Sequence, residues 1–184
     1  MPLSQTPTRR GLHQRDIIMR AYERTDGLFD IEARLSDTKP FPFKRPSSPD
    51  PLPAGEFVHD LWVRLTLDRG YVIRAVEAKS DTTPWALCKE AEATLQVLVG
   101  QTVGRGWSSI VKERLRGSAS CTHLMEMLIP MATVAFQGMR PALGQSGSPA
   151  LLLDTCYSFS SERKVVRMLW PELAKPAKPG PPGG

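Results

Sequence analysis

Apolar and polar residues alternate along the first part of the chain in a pattern typical of β-strands. Every second position is apolar over 17–21 and again over 29–35. A Thr-Asp-Gly sequence at 25–27 lies between the two runs and supplies the residues that a tight turn prefers. The pattern therefore predicts a β-hairpin over 13–35 with one apolar face.

A second hairpin is predicted over 57–78. Its first strand has apolar residues or histidine at every second position from Phe57 to Leu67, and Asp-Arg-Gly at 68–70 provides the turn. His59 shares its parity with the leucines of this strand, so we expect it to face the core. The segment 39–55 between the hairpins is rich in proline, which removes N–H donors and fixes φ, and it is predicted to be a loop.

The middle of the chain changes to a helical period. Pro84 suits the first position of a helix, and Gly100 ends the run. A shorter helix is predicted over 108–115, and a longer one begins after Cys121. The apolar stripe expected on the first helix consists of Leu87, Ala91, Leu95 and Leu98. The inner face expected on the third consists of Leu124, Leu128, Met131 and Ala135.

The last part of the chain is interpreted as a third hairpin, with strands over 151–159 and 165–170 and with Cys156 in the first of them. Together the elements predict an α+β fold in which antiparallel hairpins form a sheet packed against about three helices. One domain is expected over 13–173, flanked by disordered tails at 1–12 and 174–184.

Composition and charge exclude several classes of protein. The 184 residues carry a formal net charge of +5, but the basic residues are scattered and no aromatic residues interleave with them, so nucleic acid is not an expected partner. The chain has no apolar run of the roughly 20 residues that a bilayer crossing needs. It also begins without the apolar stretch of a secretory signal, and its three cysteines do not form a disulfide framework. We therefore expect a cytoplasmic protein without membrane contact.

The residues best suited to metal binding or catalysis are cysteines and histidines. Zinc and iron favour thiolate and imidazole ligands contributed by separate segments of a fold. A site for one transition metal, zinc or iron, is therefore predicted from Cys88, Cys121 and His123, with His59 or Asp60 as further ligands. Residues two apart in one helix point about 200° apart. Cys121 and His123 can share an ion only if Cys121 precedes the helix.

Two alternatives use the same residues differently. The positive end of a helix lowers the pKa of a nearby cysteine. Cys121 could then be the nucleophile of an enzyme of acyl or sulfur transfer, with His123 or His59 as its base. In the other alternative the cysteines, Cys156 above all, are small buried residues of a domain that binds an unknown protein or small molecule.

Nearly the whole chain resembles an uncharacterised bacterial family, domain of unknown function 2889. The resemblance rests on residues 26–39, on His-Asp-Leu-Trp at 59–62, on residues 117–124 and on Leu-Asp-Thr-Cys-Tyr at 153–157. The family pattern reads Gly-Cys-Thr-His-Leu, whereas this chain has Ser120 before Cys121. The resemblance implies no assigned activity.

A more distant resemblance is to iron–sulfur scaffold proteins of the IscU/NifU kind. Asp60, Cys88 and Cys121 fall at points comparable to the scaffold residues, and Val58 stands where that family has its first cysteine. The resemblance implies an IscU/NifU-like core with extra hairpins at both ends. The missing third thiol argues against a scaffold-type cluster, although His59 or His123 would serve for zinc or a single iron.

Overall fold

Both predicted hairpins of the first half are present and join into one antiparallel sheet. The fold is known from a computed structural model, in which residues 7–145 and 147–176 are described. The strands follow one another in chain order across the sheet. They are β1 (Gln14–Glu23), β2 (Phe29–Thr38), β3 (Phe57–Leu67) and β4 (Ile73–Thr82).

One face of the sheet carries the core. The odd-numbered residues of β2 and the leucines and Val63 of β3 are almost fully buried on that face, as the alternation predicts. The helix that covers them is α2 (Thr122–Ala142). Its buried residues include all four that the helical period assigned to its inner face: Leu124, Leu128, Met131 and Ala135.

The helix predicted after β4 is present as a 3-10 helix over Ala86–Leu98, followed by Gly100 with a φ of 83°. The position predicted for Leu87 is wrong, because its side chain is 70% exposed whereas Leu95 and Leu98 are buried. A 3-10 helix repeats every three residues, so the face that Leu95 and Leu98 share does not extend to Leu87, as it would in a helix of 3.6-residue period.

The remaining helices of the first 142 residues agree with the sequence pattern. The prediction over 108–115 is confirmed by α1 (Trp107–Leu115), which a short 3-10 turn over Gly117–Ala119 follows. The next helix begins at Thr122, so Cys121 precedes it, as a shared ion would require. Segment 39–55 is a loop, with one isolated bridge between Phe43 and Leu52.

The third hairpin is not present, and this prediction is wrong. The described part of 143–184 contains α3 (Pro149–Leu152), α4 (Lys164–Leu169) and a 3-10 turn over Pro171–Leu173. Asp154 has a φ of 58°, and its side chain accepts a hydrogen bond from the backbone N–H of Ser161 at 2.8 Å. These contacts close a compact loop around Cys156, which is exposed, in place of a strand.

Contacts divide the chain into two compact units, 1–142 and 143–184, where the sequence pattern suggests one domain over 13–173. The disordered tails predicted at 1–12 and 174–184 fall largely on residues outside the described ranges. No described helix has both the length and the apolar character that a membrane crossing demands.

Candidate functional site

A buried carboxylate lies at the centre of the site. Asp37 follows Leu35 at the end of β2, and the alternation of the strand turns its side chain toward the core face. The residue is 0% exposed. A charge in such a place is tolerated only when it is paired and hydrogen-bonded.

The carboxylate of Asp37 is fully paired. Arg15 donates from Nε to Oδ1 at 2.8 Å and from a terminal nitrogen to Oδ2 at 2.7 Å. His59 Nδ1 lies 2.9 Å from Oδ2, and His13 Nε2 lies 3.1 Å from Oδ1. Arg15 also pairs with Glu126 of α2. The four contacts occupy the hydrogen-bonding capacity of both oxygens.

These partners keep Asp37 ionised. Burial alone would raise the pKa of this carboxyl group. The hydrogen bonds and charge of Arg15, with a smaller contribution from His59, outweigh burial and lower the pKa to about 2. Asp37 is therefore a carboxylate at neutral pH and acts only as an acceptor.

His59 takes its orientation from Asp37. Because the carboxylate can only accept, the 2.9 Å contact requires the proton of His59 to be on Nδ1. Burial, followed by the charge of His123, lowers the pKa of His59, and the contact with Asp37 acts in the opposite direction. A neutral His59 with this tautomer has its free lone pair on Nε2.

The start of α2 adds a second imidazole and a thiol. The rings of His59 and His123 lie with their centroids 4.0 Å apart and their planes at 35°. His123 Nδ1 is 3.8 Å from Cys121 Sγ. Burial raises the pKa of the Cys121 thiol, but the hydrogen bond with His123 and the backbone N–H groups of Leu124 and His123 together lower it. The helix start therefore favours the thiolate.

Among the described residues, one group of three or more metal-ligating side chains lies close together. It consists of Asp37, His59 and His123, whose ligand atoms are all within 4.8 Å of one another. Two of the predicted ligands, His59 and His123, are therefore brought together, and Cys121 borders them through His123. We call these four residues, Asp37, His59, Cys121 and His123, the β2–β3–α2 cluster.

The structure does not bring the other predicted ligands into this cluster. Asp60 follows His59 on β3 and so faces the opposite side of the sheet, where both of its oxygens accept from Arg34 at 2.8 Å. Cys88 is half-buried on the 86–98 helix and belongs to no close group of ligands in the described chain. That helix contacts the segment just before α2 through Thr94, whose hydroxyl oxygen is 2.6 Å from that of Ser120.

Sequence reasoning missed Asp37 and its partner Arg15. The signal was present in the strand alternation. Asp37 continues the buried odd-numbered positions of β2, and Arg15 continues the odd-numbered positions of β1. A carboxylate and a guanidinium at core-facing positions of paired strands predict a buried ion pair.

The fold and site define an α+β protein with a carboxylate–imidazole–imidazole–thiol arrangement where a sheet meets the start of a helix. The family model described as "Protein of unknown function (DUF2889)" matches residues 13–137. The chain belongs to this family, which confirms the resemblance over the matched residues; the segment 153–157 lies outside them. The search of curated proteins and the search of solved structures each found no match. The IscU/NifU-like core therefore stays a prediction.

Proposed function

We propose that this protein binds one transition-metal ion, zinc or iron, at the β2–β3–α2 cluster, in a metal-binding or accessory role. The observation that carries the proposal is the convergence of ligand atoms from Asp37, His59 and His123 within 4.8 Å. These residues come from two strands and a helix, so the fold is what assembles the group.

The donor set fits such an ion. His59 has its Nε2 lone pair available, and His123 and Cys121 add an imidazole and a thiol of lowered pKa. Imidazole and thiolate together favour zinc and iron over magnesium or calcium. Asp37 already accepts four hydrogen bonds, so we assign it the role of the carboxylate that orients a ligating histidine. Its loss would weaken metal binding about 10- to 100-fold.

Metal analysis of the full chain, purified without chelator and supplied with zinc or iron, tests the proposal. We expect about one equivalent in the native protein, as for a single metal site, and a loss of most of it in His59→Asn and Cys121→Ser. The His59→Asn variant keeps an N–H donor for Asp37 but lacks Nε2, so it separates ligation from stability. Cys156→Ser, in the other compact unit, is the matched control and should retain the metal.

The Cys88→Ser and Asp60→Asn variants test the two ligands that the cluster does not include, and we expect both to retain the metal. A native protein that takes up neither metal, or metal content that survives both His59→Asn and Cys121→Ser, would contradict the proposed site. Loss of metal in Cys88→Ser would return Cys88 to the ligand set.

A second function, thiol-dependent acyl transfer, is favoured by the position of Cys121. Its sulfur lies at the start of α2 with His123 Nδ1 at 3.8 Å. In this function the thiolate attacks the carbonyl carbon of an acyl substrate, the leaving group departs with a proton from His123, and water or an acceptor then releases the acyl group from sulfur.

Alkylation with iodoacetamide at neutral pH separates the two functions. A bound metal protects the Cys121 thiolate, so chelator should speed its alkylation in the metal-binding protein. In the acyl-transfer function, rapid alkylation of Cys121 should be the same with and without chelator. Exposed Cys156 provides the internal reference within the same chain.

A further inference from the structure

The two edge strands of the sheet, β1 and β4, differ in how their outward backbone groups are satisfied. The 86–98 helix contacts β4 and satisfies two of its outer backbone groups with side chains. Glu92 accepts a hydrogen bond from the N–H of Ser80 at 2.7 Å, and Gln96 donates to the carbonyl of Val76 at 2.8 Å. The β4 edge is thereby closed to another strand.

The protection of the β1 edge is limited to charged side chains, among them Asp16 and Arg20. Within the described chain β1 pairs only with β2, over ten residues and without a bulge. It contains neither proline nor lysine, the residues that commonly guard an edge. Instead it exposes large apolar side chains, with Ile17, Ile18 and Tyr22 respectively 42%, 47% and 45% exposed.

The hydrogen-bond pattern of the hairpin shows which backbone groups of β1 point outward. The N–H of Arg24 donates to the carbonyl of Leu28 at 2.9 Å, just before the first strand pair, Glu23 and Phe29. Bonded and non-bonded pairs alternate in an antiparallel ladder. The even-numbered residues of β1 therefore bond to β2, and the odd-numbered residues direct their N–H and C=O groups to the free edge.

A second copy of β1 can pair with this edge across a two-fold axis. The outward backbone groups of both copies belong to odd-numbered residues, so odd-numbered residues must pair with odd-numbered ones, and even-numbered with even-numbered. An axis through Ile18 satisfies this requirement, because it places Ile18 opposite Ile18 of the second copy. The same register places Asp16 opposite Arg20 of the second copy, twice by symmetry. These facing residues form non-hydrogen-bonded pairs, in which side chains are closest.

Neighbouring registers lack this complementarity. An axis through Met19 would place apolar Ile18 opposite Arg20, and an axis through Ile17 would place it opposite Asp16. An axis through Arg20 would place like charges together, which destabilises a cross-strand pair. Charge and apolar character thus select the register centred on Ile18.

We propose that β1 is the interface of a symmetric homodimer, in which two four-stranded sheets join edge to edge through antiparallel β1 strands centred on Ile18. The even-numbered side chains of this interface lie on the opposite face of the sheet from Asp37.

Sedimentation equilibrium of the full-length chain over the micromolar range tests the dimer. We expect a mass twice that of the 20.4 kDa chain. Asp16→Arg and Arg20→Asp should each weaken association about tenfold or more, because each places like charges opposite one another at two symmetric positions.

Mixing the two variants gives the decisive result. An equimolar mixture of Asp16→Arg with Arg20→Asp restores opposite charges at both positions and should re-form a heterodimer of nearly native affinity. The double variant Asp16→Arg/Arg20→Asp should dimerise by itself. Asp50→Arg, which makes the same change in an exposed loop, is the control and should associate like the native chain.

A native chain that stays monomeric throughout this range would overturn the proposal. This is the result expected if another segment of the same chain covers β1. A dimer that tolerates both single reversals would place its interface elsewhere and would also overturn it. Recovery in the mixture cannot come from a folding defect, since each variant would carry its own defect into the mixture.

Discussion

Arg15 and Asp37 lie on neighbouring strands and are joined by two parallel hydrogen bonds of 2.8 and 2.7 Å. The pair is asymmetric, because the side chain of Arg15 is 29% exposed and that of Asp37 is 1% exposed. The buried member depends on the exposed one for its charge. This relationship links the stability of the sheet to the geometry of the candidate site.

Replacement of Asp37 by asparagine should lower the free energy of unfolding by about 2–4 kcal/mol, because it removes the charge that Arg15 and His59 face in a buried place. Urea unfolding followed by circular dichroism measures the change. Asp50→Asn in the exposed loop is the control and should stay within about 0.5 kcal/mol of the native chain. Equal effects of the two substitutions would show that the buried pair contributes nothing special.

Acid should weaken the fold through the same carboxylate. The pKa of Asp37 is about 2 in the folded chain and 3.8 ordinarily, so the unfolded state binds a proton first as pH falls. The stabilisation is complete above pH 3.8 and is lost as pH falls toward 2. The difference corresponds to about 2 kcal/mol.

Urea midpoints measured between pH 5 and pH 2 check this dependence. In Asp37→Asn the part of the slope that belongs to this residue should be missing. A variant with the full native slope would assign the acid sensitivity to other carboxylates.

The sequence pattern predicts the sheet because strand alternation is a local property that half-buried strands must show. The same alternation places Asp37 and Arg15 at core-facing positions, so both can be found once each strand position is assigned to a face of the sheet. It does not show that His59 meets His123, because that contact depends on where α2 crosses the sheet. The apolar run near Val166, predicted to be a strand, forms a helix. It shows no long alternation, and a short apolar run of this kind fits a strand or a helix equally.

A close approach between α2 and β1 gives a packing prediction. A Cβ atom added at Gly138 would lie 2.5 Å from the Cβ atom of Ala21. Gly138→Ala should therefore destabilise the chain by about 1–3 kcal/mol, despite the better helix propensity of alanine.

Thermal unfolding measures this effect, and the second substitution Ala21→Gly should restore part of the loss by making room. Gly104→Ala is the control, because an added Cβ atom there meets no atom within 4 Å. If Gly138→Ala is as stable as the native chain, α2 lies farther from β1 than in this structure.

The reactivity of Cys121 should depend on His123. The hydrogen bond from His123 is the largest of the contributions that lower the pKa of the Cys121 thiol. Without it, a smaller set of favourable contacts opposes burial, so the pKa of the Cys121 thiol should rise. The rate of iodoacetamide alkylation of metal-free protein, measured against pH, should therefore shift to higher pH in His123→Ala.

His13→Ala serves as the control for this experiment, since His13 contacts Asp37 and lies outside the thiol contact. Its alkylation profile should match that of the native chain. An unchanged profile in His123→Ala would assign the lowered pKa to the backbone N–H groups of the helix start.

The origin of the β2–β3–α2 cluster in two strands and the start of α2 has a consequence for synthesis of the chain. A ribosome that has extruded only the first 100 residues has released His13, Arg15, Asp37 and His59, while Cys121 and His123 are still to come. The growing polypeptide thus carries its carboxylate and first imidazole well before its thiol. Whatever the assembled group binds, it can be loaded only after the longest helix has been made and has docked.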